Sequence, residues 1–436
     1  MFEALVNAFR APDIRRRIFF VLGMLVVYRA LAVVPVPDVN TAAVENLVAQ
    51  QTFLQLLDLF SGGGLSSFSI VAMGVNPYIN ASIIMQLMTG VVPRLQALSR
   101  EGEYGRNKIN QYTRYLCVPL ALLQSYGYLA ILAAQDPPIV ADFDITSPVT
   151  LSQMVTLAAG TILAMWIGEL VTERGIGNGI SFIIFAGIVA GVPAGVVAFL
   201  DNPDLAAGAL FVILALVVVA VIVYIQEGQR RIPIQYASRV RGRRMYQGGA
   251  TFLPLRVNQA GVIPIIFAVS ILLFPTQIAS YFRAPGTPPE SWTLANHIAE
   301  GIYGFLQPEG LAYPVAYFLL TMGFTYFYTA FTFKPDETAD QLRKNGGFIP
   351  GIRPGAPTRD YLQRVVFRLS LAGALFLATV AVSPILLPRL VPGAGGVVGG
   401  FALGGTALLI IVSVVVETMK QIEAQLMMRN YEGFIR

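Results

Sequence analysis

Cysteine and histidine often bind metals or act as catalytic groups, and this sequence has one of each, Cys117 and His297. A single cysteine forms no internal disulfide, and one histidine is too few for a typical metal site. The phosphate-binding pattern G-x-x-x-x-G-K-[ST] does not occur in the sequence, so any nucleotide energy must come from a partner. The sequence therefore predicts no metal chemistry, no nucleotide hydrolysis and no cofactor.

Arginine, which binds anions, is clustered in two segments of this sequence. Segment 226–259 contains seven arginines, and segment 332–368 contains seven Lys and Arg residues. Such clusters suit polyanions, whether lipid headgroups, ribosomal RNA or an acidic protein. Membrane topology alone could explain the charge. However, both segments are longer than a connector needs, which favours docking. For the shorter basic segment 88–114, topology is a sufficient explanation.

The elements that must carry these segments are membrane helices. Only 13% of the residues are charged, 55% are hydrophobic and the mean hydropathy is +0.64, whereas about 25% of an ordinary soluble domain is charged. The apolar residues form runs long enough to cross a bilayer and too continuous for barrel strands. We predict ten helical spans, near 18–34, 75–87, 115–134, 151–170, 180–200, 205–225, 260–278, 311–331, 369–387 and 397–416.

The basic residues predict the orientation of these spans. Twenty-seven Lys and Arg residues fall on the side that holds both termini, and two, Arg283 and Arg389, fall on the other. By the positive-inside rule both termini are cytoplasmic. The first apolar run follows three arginines but has no small-x-small cleavage site, so we expect a retained span rather than a signal peptide.

Ten spans divide at the short turn around 201–204 into two halves, 1–201 and 202–436. Because each half has an odd number of spans, the second half enters the membrane from the opposite face, as inverted repeats do. Internal sequence similarity is not evident, so this is a geometric expectation. The basic segments 226–259 and 332–368 both belong to the second half.

Ionisable residues that bind ions or relay protons are scarce in the spans. Only Arg29 lies well inside one, near its outer end, where it can extend to the interface. A passive or gated path without an ionic substrate site is therefore favoured. A pocket for a neutral solute stays open as an alternative.

An irregular segment, 51–73, precedes the second span on the outer side. It contains the sequence FSGGGLSS between apolar stretches and has no basic residue. A flexible loop would explain it. A short half-helix that folds back into the protein fits its composition better, because non-helical backbone at membrane depth must line a cavity or be buried. Such a segment is a candidate gate.

Several motifs, in order, make the sequence similar to the SecY family, the central subunits of bacterial protein-conducting channels. They are FSGGG (60–64), NPYINASIIMQL (76–87), EGEYGRNKINQYTRY (101–115), TERGIGNGISFIIFAGIVAG (172–191), GQRRIPIQYA (228–237), LPLRVNQAGVIP (253–264) and ETADQLRKNGGFIPGIRPG (337–355). Each motif alone is weak evidence. Together, in this order and on the predicted sides of the ten spans, they are highly specific, and the resemblance runs nearly end to end.

The resemblance implies an all-α polytopic membrane protein with ten transmembrane helices in two five-helix halves around an hourglass pore. It also implies a re-entrant plug half-helix and a ring of apolar side chains at the constriction: Val75, Ile79, Ile180, Ile184, Ile266 and Ile410. Val75 replaces the isoleucine that is usual in the family. The pairs 75/79 and 180/184 are four residues apart and share a helical face, although ordinary packing explains that spacing equally well.

Other roles follow from the same resemblance. The plug corresponds to Phe60, Ser61, Gly62, Gly63, Gly64, Leu65, Ser66 and Ser67. A lateral gate opens between spans two and seven on one side and three and eight on the other; Gln86 is a candidate for holding it closed, with packing an equal alternative. Docking of the ribosome or the SecA motor is expected at Arg230, Arg231, Arg239, Arg241, Arg243, Arg244 and Arg353.

The predicted function is a gated channel that moves unfolded secretory polypeptides across the cytoplasmic membrane and releases membrane segments laterally into lipid. The resemblance adds SecE and SecG as further subunits, and SecA, the ribosome or the membrane potential as energy sources. A transporter of a small neutral solute is the alternative from another class. A structural membrane scaffold is a third, although it would not need the glycine-rich segment.

Overall fold

The computed structural model describes residues 9–432, except 51, 134, 136–137, 141–142, 145, 202–204, 237–238, 242–243, 247–249, 283–292, 308–309 and 391–403. Its elements are almost all helical. The first half contains α1 (Pro12–Leu31), α2 (Thr41–Gln50), α3 (Thr52–Ser61), α4 (Asn76–Val91), α5 (Pro93–Arg100), α6 (Glu103–Ala133), α7 (Pro148–Arg174) and α8 (Gly179–Asp201).

The second half begins with α9 (Leu205–Glu227) and continues with strands β1 (Gln229–Tyr236), β2 (Arg239–Arg241), β3 (Arg244–Tyr246) and β4 (Ala250–Arg256). Helices α10 (Ile263–Tyr281), α11 (Leu294–Phe305), α12 (Ala312–Thr332) and α13 (Pro335–Lys344) follow, then β5 (Gly347–Phe348), α14 (Ala356–Leu390) and α15 (Gly404–Glu432).

Ten of these helices overlap the predicted spans, namely α1, α4, α6, α7, α8, α9, α10, α12, α14 and α15. In the described part of the chain, three helices meet a strict length and hydropathy criterion for crossing a membrane: Glu103–Ala133, Pro148–Arg174 and Ala356–Ser383. The mostly helical fold confirms the predicted class. The count of ten spans stays a prediction, and residues 397–403 of the last one lie outside the described residues.

Two helices begin well before their predicted apolar runs. Helix α6 starts at Glu103 rather than near 115, and α14 starts at Ala356 rather than near 369. Hydropathy detects the segment that lipid would surround, whereas backbone hydrogen bonding continues through polar helix formers beyond it. Part of segment 88–114 and part of segment 332–368 therefore belong to helices that continue into the spans.

The two long basic segments fold together. Strands β4, β1 and β5 form one antiparallel sheet, with Ile232 opposite Leu253 and Gln235 opposite Phe348. Alternate residues of β1, Ile232 and Ile234, are buried. They pack in a hydrophobic cluster with Leu342 of α13, Ile349 just after β5 and residues from the start of α14. The strands are thus a local exception to the helical fold.

A second, much larger hydrophobic cluster occupies the interior between the spans. Helices α1, α4, α6, α7 and α8 contact one another within the first half, and α9, α10, α12, α14 and α15 within the second. The halves meet where α10 packs on α4 and α6, and where α15 packs on α8. These two meeting places lie on the elements that carry the predicted ring.

Candidate pore, plug and docking surfaces

Five of the six predicted ring residues are buried in the large interior cluster: Val75, Ile79, Ile184, Ile266 and Ile410. The sixth, Ile180, is partly buried and packs against the same cluster. Val75 precedes α4, and the other five residues lie in α4, α8, α10 and α15. The fold thus gathers residues from both halves, far apart in sequence, into one apolar interior.

A cap at the start of α8 positions its two ring residues. Asn178 accepts hydrogen bonds at Oδ1 from the backbone N–H groups of Ile180 (3.0 Å) and Ser181 (3.2 Å). These N–H groups have no partner within the helix, so an asparagine cap satisfies them. The Gly179 N–H donates to Thr172 Oγ1 (2.9 Å). The polar residues of the 172–179 motif therefore fix where α8 begins.

Glycines allow α7 and α8 to cross closely at the same place. A Cβ atom on Gly179 would lie 1.8 Å from the carbonyl oxygen of Gly168, and one on Gly168 would lie 2.5 Å from Cδ1 of Ile180. Side chains larger than hydrogen would separate the helices. The close approach holds Ile180 against α7.

The predicted plug differs from a half-helix over 60–67. Helix α3 ends at Ser61, so only Phe60 and Ser61 of the predicted residues are helical. Gly62 (φ +73°) and Gly63 (φ +80°) then turn the chain through the left-handed region that glycine adopts without strain. The segment that follows is turn-like, and its Leu65, at 2% exposure, is buried.

Asp58 satisfies the backbone of this turn. Its Oδ1 accepts hydrogen bonds from the N–H groups of Leu65 (2.9 Å) and Ser66 (2.9 Å) and from Ser61 Oγ (3.3 Å). Burial raises the pKa of the Asp58 carboxyl, and the hydrogen bonds from Ser66, Leu65 and Ser61 oppose that rise. A single carboxylate thereby replaces the regular hydrogen bonding that a buried turn lacks.

The end of α1 holds the same turn from the other side. Tyr28, 1% exposed, donates from its hydroxyl to the carbonyl oxygen of Ser61 (2.9 Å). The Arg29 guanidinium donates to the carbonyl oxygen of Gly62. Ser67 Oγ donates to the carbonyl oxygen of Ala32 (3.0 Å). We call these three contacts the α1 clasp.

The turn also rests on α7 and α8. A Cβ atom on Gly62 would lie 2.9 Å from Cα of Gly187 in α8, and one on Gly160 in α7 would lie 1.7 Å from the carbonyl oxygen of Ile70. Backbone meets backbone at both points. We call these two contacts, Gly62 with Gly187 and Gly160 with Ile70, the seat of the turn. Only glycine leaves room for them, and α8, which carries Gly187, also carries Ile180 and Ile184.

The sequence analysis predicted the plug residues but not the residues on other elements that hold them. Arg29 was expected to extend to the outer interface; its side chain is exposed but also bonds the plug turn. A signal for it existed, since it is the only basic residue well inside a predicted span. Tyr28, Asp58 and Gly160 carried no comparable signal, because their importance depends on which segments meet.

Gln86, the predicted gate residue, is half-buried on α4. Its Nε2 donates to Ser82 Oγ of the same helix (3.2 Å), and its side-chain oxygen is buried without a partner in the described part of the chain. It makes no described hydrogen bond across to α10. Contact at the predicted gate consists instead of α10 packing on α4 and α6, so a gate role for Gln86 stays a prediction.

A cavity of about 260 Å³ opens beside the start of α8, the start of α10 and the middle of α15, three helices that carry predicted ring residues. Its lining includes Ser181 of α8, Ile263 of α10 and Glu417 of α15, together with Arg256 and Asn258. Beside it, Gln421 of α15 accepts a hydrogen bond from the Gly177 N–H (2.8 Å). The cavity therefore joins both halves just outside the ring.

Three of the predicted docking arginines, Arg230, Arg231 and Arg353, are exposed and form no ion pair with other described residues. Arg353 lies between Gly351 (φ +80°) and Gly355 (φ +101°). Its carbonyl oxygen accepts a hydrogen bond from Thr358 Oγ1 (2.9 Å), which fixes the turn. Arg239, Arg241 and Arg244 lie in β2 and β3, and Arg243 lies outside the described residues.

The described residues include no cluster of three or more His, Cys, Asp or Glu side chains that could hold a metal ion. The arrangement instead combines an apolar interior built from both halves, a turn packed on α7 and α8, and a cavity lined by residues of both halves. Such a combination in a mostly helical, apolar protein is typical of a gated membrane channel.

Comparison with known families names the class. The SecY family model matches residues 69–419. A protein translocase subunit SecY from Mycobacterium bovis is 44% identical over 452 aligned positions, which cover 100% of both chains. The chain therefore belongs to the SecY family of protein translocase subunits.

Solved channel structures share the fold. A SecY structure, described by the role of its plug domain in stabilising the closed channel and the membrane seal, matches with a TM-score of 0.61 at 17% identity. The match covers 93% of this chain and 91% of that one. Canine Sec61 in a ribosome-channel complex matches with a TM-score of 0.58 at 16% identity and the same coverage. At these identities the matches concern the fold alone.

Proposed function

We propose that this chain is a gated, protein-conducting channel of the cytoplasmic membrane, closed at rest by the turn after α3. It moves unfolded secretory polypeptides outward and releases apolar segments sideways into lipid. Both termini are cytoplasmic in this proposal. The observation that carries it is the buried plug turn, bonded by the α1 clasp and seated beside the helix that bears Ile180 and Ile184.

The way in which the turn is held would allow it to leave its position. Its polar contacts are the hydrogen bonds to Asp58, the α1 clasp and the backbone pairing of 68–70 with 34–36. At Gly62 the turn contacts α8 through backbone atoms. A segment held in this way can leave without unfolding a spanning helix, because α3 is short and ends before the turn.

The ring supplies the second seal. Val75, Ile79, Ile184, Ile266 and Ile410 are apolar and buried. Such side chains close around a passing chain without hydrogen-bonding it, so polypeptides of any sequence can slide through. An apolar constriction also dewets and thereby excludes ions. Val75 has one methylene fewer than isoleucine, so a slightly looser seal is expected there.

The lateral opening lies between α4 and α10 on one side and α6 and α12 on the other. A signal sequence has an apolar core of about 7 to 15 residues, and it can settle between α4 and α10 while it contacts lipid. Packing of α10 on α4 and α6 supports this location because the two halves are in direct contact there.

The folded unit of β1, β4, β5 and α13 is the proposed docking platform. Its exposed Arg230, Arg231 and Arg353 would bind the ribosome or SecA. Sec61, a structural neighbour, occurs in a ribosome-channel complex. SecE and SecG would complete the channel, and the partners or the membrane potential would supply the energy. The chain itself would perform no covalent chemistry.

One crosslinking experiment tests the channel. A single cysteine replaces Ile79 or Ile266 in a Cys117→Ala background, since Cys117 is buried in a small cluster with Ala81 and Met165. The protein is reconstituted with SecE, and a secretory precursor is stalled during SecA-driven transport. The matched control is Ile84→Cys, on the same helix as Ile79 but 37% exposed on its outer surface.

Crosslinks from positions 79 and 266, and not from 84, would support a polypeptide path through the ring. Precursor contact at 84 alone would place the path outside it. Labelling of positions 79 and 266 by small solutes, with no precursor contact, would favour the transporter of a neutral solute instead.

A further inference from the structure

Helix α11 (Leu294–Phe305) connects two walls of the proposed gate on the outer side, between α10 and α12. Its start is tightly fixed. Thr293 and Asn296 form a capping box, in which the Asn296 N–H donates to Thr293 Oγ1 (3.4 Å) and the Thr293 N–H donates to Asn296 Oδ1 (3.1 Å). Asn296 Nδ2 also donates to the carbonyl oxygen of Phe282, directly after α10 (3.1 Å).

The face that α11 turns toward the protein is its more polar one. Ala299 is buried there, and Asn296, Glu300 and Tyr303 are half-buried. Glu300 and Tyr303 each have an interaction partner. The hydrogen bond from Asn296 to Phe282 ties this face to the end of α10.

The opposite face is an apolar stripe that the protein leaves uncovered. Leu294 is 78% exposed, Ile298 55%, Ile302 38% and Phe305 62%. Their spacing of four, four and three residues puts them on one side of the helix. A helix at an aqueous surface turns such a stripe toward the core, so this orientation is the reverse of the aqueous one.

The surface next to the stripe indicates what covers it. Leu311 precedes α12 and is 74% exposed, and Val315 and Leu319 of α12 are 58% and 62% exposed. Phe282, after α10, is 56% exposed. Both α10 and α12 are predicted spans, so these residues belong to the surface that faces lipid. The stripe of α11 continues that apolar surface.

We propose that α11 lies in the outer interface of the membrane, with Leu294, Ile298, Ile302 and Phe305 among the lipid chains of the outer leaflet. An interfacial helix buries its apolar face about 5–10 Å into the boundary between headgroups and acyl chains. Twelve residues make a helix about 18 Å long, which lies along the surface rather than across the bilayer. The inference requires a membrane protein and does not depend on what passes through the pore.

Fluorescence quenching tests the proposal with the full-length chain. Ile298→Cys in the Cys117→Ala background is labelled with a bimane thiol reagent and reconstituted into vesicles, with and without the partner subunits. The matched control is Gly304→Cys, about 120° around the helix from Ile298, where an added Cβ would meet nothing within 4 Å. Brominated lipid and aqueous iodide serve as the two quenchers.

We expect brominated lipid to quench the label at 298 at least twofold more than the label at 304, and iodide to show the reverse order. Equal iodide quenching at both positions would overturn the proposal in favour of an aqueous helix. Protection of position 298 from both quenchers would also overturn it, because a protein surface would then cover the stripe. The lipid result must hold with and without the partner subunits.

Discussion

The hydroxyl of Tyr28 donates a 2.9 Å hydrogen bond to the carbonyl oxygen of Ser61 and so joins the end of α1 to the last residue of α3. Both residues are buried. The residues that follow Tyr28 and Ser61 form a second hydrogen bond, from the Arg29 guanidinium to the carbonyl oxygen of Gly62. The proposed plug is therefore fastened to the first span by backbone carbonyls, which are present whatever side chains the turn carries.

Replacing Tyr28 by Phe should loosen the plug. The change removes one hydrogen bond, worth about 1 kcal/mol net, and a loss of that size lowers the ratio of seated to displaced plug about fivefold. We expect more frequent ion-conducting openings of the resting channel in planar bilayers. Tyr224→Phe, at a position 81% exposed, should leave the conductance unchanged. Equal behaviour of the two variants would remove Tyr28 from the clasp.

Deleting residues 60–67 should raise the resting ion conductance more than Tyr28→Phe does. The deletion removes the turn and the groups that bond Asp58, Tyr28 and Arg29. Resting ion leak should rise, and precursors with defective signal sequences should be transported more readily. Unchanged conductance in planar bilayers would count against a plug at this position.

Gly160→Ala tests the seat without touching the plug itself. The new Cβ would lie 1.7 Å from the carbonyl oxygen of Ile70, and neither backbone can yield without moving the turn or α7. We expect a raised resting leak and a lower melting temperature in detergent. Gly23→Ala is the control, since an added Cβ there meets nothing within 4 Å. A variant at 160 that behaves like the control would contradict the seat.

Asn178→Ala should destabilise the start of α8. Loss of an asparagine cap costs about 1 kcal/mol, and two N–H groups, those of Ile180 and Ser181, lose their acceptor. Because Ile180 is also a predicted ring residue, the ring should become less ordered too. The midpoint of chemical unfolding in detergent should fall, while Asn110→Ala, at an exposed position inside α6, should not lower it. No difference between the two would exclude a capping role.

Arg353→Glu should impair transport more than folding. The side chain is exposed on a turn fixed by Gly351 and Gly355, so reversing its charge alters docking without disturbing packing. SecA-dependent transport into vesicles should fall severalfold at an unchanged melting temperature. Arg100→Glu, in the basic segment that topology alone explains, should transport normally. Normal transport by the Arg353 variant would remove this residue from the docking surface.

Composition and hydropathy were sufficient to predict a helical membrane protein, because long apolar runs have no other stable form in lipid. The family motifs then predicted a ring and a plug segment by position along the chain. Helix ends were less predictable. Helices α6 and α14 extend past their apolar runs, since hydrogen bonding along a helix does not depend on hydropathy.

What only the tertiary structure decided is which segments touch. Gly160 looks like any small residue in an apolar run, and its role appears only when the carbonyl oxygen of Ile70 lies against it. Tyr28 and Ser61 are 33 residues apart, and no periodic pattern links them. The sequence determines these contacts through the energy of the whole fold. Local patterns report which residues prefer lipid or a helix, whereas a contact between distant backbones depends on how the helices pack.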